Sequence, residues 1–192
     1  MPGTLFVFLR HAESVANAGG WLSGWEDVEL TARGEAQAVA AGALIAAIEA
    51  EHGPLRRLLV SDLGRARRTA ALALGARRLP THVLGELRER NMGDLQGVDI
   101  AQARADGRME RFMLPWEQGP PNGESHRACA RRAVAGLRAW DDGTPTLVVA
   151  HGSLLRNVLG LLDDLPREEI GRGHAARHAE PALRFVRAWP RV

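Results

Sequence analysis

Two short apolar runs, far apart in the chain, end in nearly the same way. Thr4 to Leu9 is β-branched and aromatic and runs into Arg10-His11; Pro145 to Ala150 runs into His151-Gly152. Runs of this length that are apolar throughout, with no alternation, belong to strands covered on both faces. Further segments alternate with them. Thr31 starts a long Ala-rich helix over about 32–50, with Glu35 supporting its first turn and His52-Gly53-Pro54 ending it. Leu58 to Val60 is a second strand, Arg65 to Leu74 a second helix, and His82 to Leu84 a third strand. Helix returns over 125–140 and 153–162, and Leu183 to Val186 reads as a last strand. Strands alternating with helices specify an α/β fold: a three-layer α/β/α sandwich, a mostly parallel sheet with helices on both faces. The expected organisation is one domain over 1–192, in which the proline-containing stretch 93–124 is a lid-like insertion.

Composition removes several functions. The chain is 192 residues long with a net charge of only +2, and all 25 basic side chains are arginines, spread beside Asp and Glu. That distribution gives no nucleic-acid footprint. The run Leu5 to Leu9 is too short to span a bilayer and is cut by Arg10 and His11, so no membrane association and a cytoplasmic location are expected. The single cysteine, Cys129, forms no internal disulfide and reads as a half-buried helix residue. No cluster has metal-ligand spacing.

In open α/β sheets ligands sit at the carboxyl ends of strands, which places His11 and His151 in one crevice. A third strand end leads into Ser61-Asp62-Leu63-Gly64-Arg65, with the arginine at a helix start where N–H groups favour an anion. Arg10 and Arg65 thus form a candidate guanidinium clamp on phosphate oxygens. Arg67 and Arg68 read as a solvated helix face.

The segment Leu9-Arg10-His11-Ala12-Glu13-Ser14 resembles the signature of the histidine phosphatase superfamily, the phosphoglycerate-mutase-like proteins. The resemblance continues in family order through Ser23 to Asp27 with Leu30, Thr31 and Gly34, then Ser61 to Ala70, then Glu86 to Glu89 with Gly93 and Gly97. Gly123-Glu124-Ser125 and His151-Gly152 complete the set, so the blocks span about residues 5–160. The resemblance implies that His11 is the nucleophile and becomes phosphorylated. It implies that Arg10, Arg65 and a protonated His151 surround the phosphoryl oxygens without a metal, and that Asn17, Ser23, Gly24 and Gly152 complete the phosphate pocket. Glu89 matches the proton shuttle; Glu86 competes for that role, but the spacing to Gly93 favours Glu89. Glu13 and Asp62 are read as supporting residues, and His52, His82, His126, His174 and His178 as surface residues.

The resemblance also frames the reaction. Ser23 to Val28, Gly93 to Gly97 and Ser153 to Arg156 resemble the true mutases, but Met92 replaces an expected tyrosine and no lysine follows Gly97. The arginine pair expected in a longer middle segment is not evident, although Arg108 and Arg111 could take its place. These departures favour a phosphatase acting on small phosphomonoesters. The alternatives are a mutase, which alone would need 2,3-bisphosphoglycerate as a primer, and a non-catalytic phospho-ligand binder. Otherwise no cofactor is expected, and the protein is expected to be a monomer or homodimer. Trp25 and Trp116 are expected to rim the pocket, whereas Trp21, Trp140 and Trp189 are expected to pack.

Overall fold

The computed structural model describes residues 3–172, 181–186, 189–190 and 192. In chain order the elements are β1 (Thr4–Arg10), α1 (Val15–Gly19), α2 (Ala32–His52), β2 (Arg57–Ser61), α3 (Gly64–Leu74) and β3 (Thr81–Leu84). They continue with α4 (Ile100–Ala105), α5 (His126–Arg138), β4 (Thr146–Ala150), α6 (Gly152–Leu162), α7 (Arg167–Arg172) and β5 (Pro181–Val186). The five strands form one sheet in the order β3-β2-β4-β1-β5. β1, β2, β3 and β4 run parallel, and β5 closes the β1 edge antiparallel.

Successive strand residues point to opposite faces, and each face has its own cover. Leu5, Val7 and Leu9 of β1 pack with Val60 and Val149 against Ala38, Ala41 and Ile45 of α2 and Ala66 and Ala70 of α3. The alternate residues Phe6, Phe8, Leu59 and Val148 pack against Ala133 and Leu137 of α5 and Leu154 and Val158 of α6. The alanine richness of α2 has a packing reason: a Cβ on Gly42 would come within 2.6 Å of the Ala73 carbonyl of α3. β2 starts one residue earlier than its apolar run because Arg57 is buried in the sheet. Its guanidinium donates to Asp142 at 2.8 Å and to the Trp140 carbonyl at 2.6 Å, which satisfies the charge.

Register brings the functional strand ends level. Arg10 lies opposite Ala150, and Val60, just before Ser61, lies opposite Val149. The His11 N–H donates to the Ala150 carbonyl at 2.9 Å, extending the ladder one step past β1. The stretch 93–124 is helical in pieces: a 3₁₀ turn, α4, and a π-turn over Met109–Met113. Its Leu95 and Met113 form a small separate core with Leu22 and Met92, and this core seats the segment on the loop that follows β1.

His174 and His178 lie outside the described residues. Cys129 is fully buried, not half-buried, because it sits on the apolar stripe of α5. Burial pushes its thiol up to about 12, so it stays protonated and inert. His126 is also buried, against expectation, on that same stripe.

Candidate active site

The loop after β1 is built to present His11. Its Nδ1 lies 2.7 Å from the Ala12 carbonyl oxygen, which can only accept. Nδ1 therefore carries a proton, and whenever the ring is neutral its lone pair is on Nε2. The Ala12 N–H donates to Thr69 Oγ1 at 3.0 Å, and that hydroxyl donates to the Arg65 carbonyl at 2.7 Å, tying the loop to α3. The His11 and His151 rings stand 5.1 Å apart between centroids. Both histidines and Arg65 are buried, at 3%, 0% and 1% exposure.

His151 is held from one side. Its Nε2 lies 2.8 Å from Ser61 Oγ at the end of β2, while its buried Nδ1 has no hydrogen-bond partner among the described residues. Burial, followed by the neighbouring His11 and the positive Arg65 and Arg10, holds this imidazole well below its ordinary range. In the site without substrate these surroundings work against the protonated ring that the resemblance implies for His151. With the Ser61 hydroxyl donating to Nε2, the ring proton sits on Nδ1 as a donor.

Arg65 also differs in detail from expectation. Its guanidinium donates to the Gly24 carbonyl at 2.8 Å and the Glu26 carbonyl at 2.7 Å, which locks the loop 23–27. The start of α3 is not open to an anion, because Asp27 Oδ1 accepts from the Gly64 N–H at 2.8 Å. Burial lowers the pKa of Arg65 and, to a similar end, of Arg10, and the field of Glu89 opposes the shift in both. Arg10 lies against the start of α6, where a Cβ on Gly152 would meet its Nε at 3.1 Å. Gly24, at φ +52°, is hemmed by Gln96 and Met92, so a side chain there would be both strained and crowded.

Glu89 sits between these groups. Its carboxylate accepts from the Arg90 N–H at 2.8 Å and from the Ser153 and Leu154 N–H groups at 3.1 Å, so it occupies the N-terminus of α6. Its backbone is pinned as well: Trp25 Nε1 donates to the Glu89 carbonyl at 2.6 Å, and Arg132 donates to the carbonyls of Glu86, Arg88 and Glu89. Arg132 is in turn paired with Glu124 at 2.7 Å, which gives the Gly123-Glu124-Ser125 block a supporting task. Glu86 is exposed and lines no part of the site. Asp62 accepts from Arg88, and Glu13 from Thr31, as expected of supporting residues.

A cavity of about 500 Å³ opens over this cluster, lined by Arg10, Asn17, Ser23, Gly24, Glu89 and Gly152. His11, Arg65 and His151 are adjacent to the lining and not part of it: His11 follows Arg10, Arg65 holds Gly24, and His151 precedes Gly152. Asn17 Oδ1 is taken by Ser14 in a capping box, which leaves its amide nitrogen as the available donor. The outer wall is apolar, formed by Trp21, Ile100, Met109 and Leu114 among others.

The tryptophans exchange their expected places. Trp21 lines the cavity, whereas Trp25 is stacked under Arg88 and Arg132, and Trp116 is buried with Ala130, Leu161 and Ile170. Arg108 and Arg111 do not reach the cavity: Arg108 pairs with Asp106, and Arg111 lies over the Phe112 ring at 4.9 Å. Arg104 and Arg156 line it instead. Spacing held a signal for Arg156, four residues after Gly152 on one helix face. Ser61 and Thr69 lie in the matching block Ser61 to Ala70, but no sequence feature assigns either of them a role of its own.

Buried His126 lines the cavity floor, bridging the Asn157 side chain at 2.9 Å and the Met113 carbonyl at 2.7 Å. Burial, then the nearby Arg90, lowers its pKa to about 4. The folded state thus binds fewer protons here than the unfolded chain, so the stabilisation is complete above the unfolded pKa and is lost as pH falls towards 4. Relative to a His126→Gln variant, the wild type is predicted to lose about 3 kcal/mol more stability between pH 7 and 4. Urea unfolding of both proteins at the two pH values checks this; parallel losses would refute it.

Comparisons with known proteins agree with this geometry. The family model for the histidine phosphatase superfamily (branch 1) matches residues 6–185. A 2,3-bisphosphoglycerate-dependent phosphoglycerate mutase of Xanthobacter autotrophicus is 34% identical over 181 residues, covering 88% of this chain and 86% of that protein. An adenosylcobalamin/alpha-ribazole phosphatase of Salmonella typhimurium is 33% identical over 169 residues, covering 84% and 81%. Among solved structures, a mycobacterial glucosyl-3-phosphoglycerate phosphatase superposes with a TM-score of 0.79 at 29% identity, covering 94% of this chain and 89% of that one. Sheet order, strand-end histidines and ordered sequence blocks all point the same way: this chain belongs to the histidine phosphatase superfamily.

Proposed function

We propose that the protein is a phosphatase that hydrolyses small phosphomonoesters through a phosphohistidine on His11. Nε2 of His11, freed as a nucleophile by the Nδ1–Ala12 hydrogen bond, attacks phosphorus. The P–O bond to the leaving group breaks as the P–N bond forms, and a proton on Glu89 goes to the departing oxygen. Arg10, Arg65, the Nδ1–H of His151, Asn17 and the Gly152 N–H are the donors for the phosphoryl oxygens. Glu89 then takes a proton from water, which attacks phosphorus and releases phosphate as the P–N bond breaks. Serving this chemistry requires no cofactor, and the partner is the substrate itself, met in the cytoplasm by a monomer or homodimer.

The observation that carries hydrolysis over isomerisation is the placement of Arg108 and Arg111. Both are engaged outside the cavity, so neither holds a substrate while it turns over on phosphohistidine. A mutase is the second reading, favoured by Arg104 at the cavity rim and by the named activity of the Xanthobacter relative. The test incubates the protein, without metal, with 3-phosphoglycerate and a trace of 2,3-bisphosphoglycerate, and in parallel with an aryl phosphate. Phosphate release from the aryl ester without 2-phosphoglycerate formation is expected. Rapid 2-phosphoglycerate formation with little free phosphate would establish the mutase instead.

A further inference from the structure

The residue that carries the proton has no regular structure around it. Glu89 follows a short 3₁₀ turn over Gly85–Leu87 and belongs to neither a helix nor a strand. Such a segment keeps a carboxylate in place only if its backbone groups are tied from outside. The Glu89 carbonyl accepts from Trp25 Nε1 at 2.6 Å and from Arg132 at 3.2 Å, and among the described residues from no backbone N–H. The shorter tie reaches back 64 residues to the loop 23–27.

Trp25 is itself firmly seated. Arg88 and Arg132 lie over its ring at 4.9 and 5.8 Å, and each is paired with a carboxylate, Asp62 and Glu124 respectively. The Trp25 backbone N–H donates to Gln96 Oε1 at 2.8 Å. On its other side the loop is fixed to α3, where Arg65 donates to the Gly24 and Glu26 carbonyls and Asp27 accepts from the Gly64 N–H. Ser23 and Gly24 line the cavity, and the Glu26 N–H closes their turn on the Ser23 carbonyl at 2.8 Å. One tight turn thus carries both the phosphoryl end of the cavity and the indole that grips Glu89. Trp25 is not among the residues lining the cavity, so it acts only through what it holds.

We infer that Trp25 is a positioning residue for the reaction. Its indole N–H fixes the Glu89 backbone relative to the turn that bears Ser23 and Gly24, and so aligns proton transfer with the seated phosphoryl group. The carboxylate end of Glu89 is held by the N–H groups of Arg90, Ser153 and Leu154; the indole fixes the end about which that side chain would otherwise pivot. The inference rests on the phosphoryl-transfer reading, with Glu89 as proton carrier, and adds the group that sets its place.

The test compares kcat/KM for propyl phosphate, whose leaving oxygen needs a proton, with that for p-nitrophenyl phosphate, whose leaving group does not. Trp25→Phe keeps an aromatic ring beside Arg88 and Arg132 and removes the N–H. It is expected to lower the value for propyl phosphate about 10- to 100-fold, while the aryl ester and inhibition by inorganic phosphate stay close to wild type. In a Glu89→Gln background the same substitution is expected to cost almost nothing further on propyl phosphate, because the group it positions is already gone. Arg132→Lys keeps the charge opposite Glu124 but loses the fork that reaches Glu89, and the same dependence on the ester is expected of it should Trp25→Phe not fold. No loss, an equal loss on both esters, weakened phosphate inhibition in step with the loss, or a full effect persisting in Glu89→Gln overturns the positioning role and leaves the phosphatase intact. A wild type inactive on propyl phosphate, or Glu89→Gln as active on it as wild type, overturns the reading of Glu89 itself, and the positioning role with it.

Discussion

Replacing His11 by alanine is expected to lower phosphate release by roughly four orders of magnitude or more, with the fold retained. The size follows from the step that is lost. Without Nε2 no covalent intermediate forms, and water would have to attack a phosphomonoester held only by donors. What survives is the electrostatic contribution of the arginines and His151, the residue of catalysis that binding alone supplies. Retention of the fold is expected because His11 lies past the last β1 residue, and its backbone N–H, which extends the ladder to Ala150, is kept in the variant. Two readings are needed together. Thermal unfolding should show a midpoint close to wild type, and acid-labile, base-stable phosphate on the denatured protein, quenched during turnover, should be present in wild type and absent in His11→Ala. An active variant, or labelled phosphate persisting in it, would remove His11 from the reaction.

The parts of this molecule legible from sequence are those in which local pattern and tertiary position coincide. β1 and β4 are apolar throughout, and that pattern demands cover on both faces; the helices that supply it follow in chain order. Because both strands are parallel and level, the residue after each must arrive at the same edge, so His11 and His151 could be placed together before any distance was known. Side chains in loops obey no such period. Trp21 and Trp25 lie four residues apart, and which of them faces the cavity is decided by Arg88 and Arg132, residues more than sixty positions on. The protonation of His151 was equally out of reach, because it depends on how completely β2, β4 and α6 exclude water.

His126 is different, since its signal was present. It heads a stripe that continues through Cys129, Ala130, Ala133 and Leu137 at helical spacing, and a residue on that stripe faces inward whatever its chemistry. Arg156 is similar: its neighbours Leu154, Leu155 and Val158 are all buried, so an arginine among them has to reach a cavity or a counter-ion. A charged residue interrupting a mostly apolar helix marks the site from the sequence side, in the same way that an unpartnered buried nitrogen marks it from the structural side.

Glu89→Gln is expected to produce the second large effect, and its dependence on the leaving group separates chemistry from architecture. With an alkyl phosphate the departing alkoxide needs a proton, and losing its donor should cost about 10²- to 10⁴-fold in turnover. With an activated aryl phosphate the departing phenolate needs little help, so phosphorylation of His11 should proceed at nearly the wild-type rate. Hydrolysis of the phosphohistidine still requires a base for water, so the variant should release a burst of phenol equal to the enzyme concentration and then stall as phosphoenzyme. Glu89 also caps α6 through the Ser153 and Leu154 N–H groups, and the variant keeps one carbonyl oxygen to accept from them. If Glu89 served only that cap, a loosened α6 would displace Gly152 and Arg10 together and slow both esters alike, with no burst. Rapid-quench measurement of phenol and protein-bound phosphate on the two esters decides between these outcomes, because only a proton carrier makes the loss depend on what leaves.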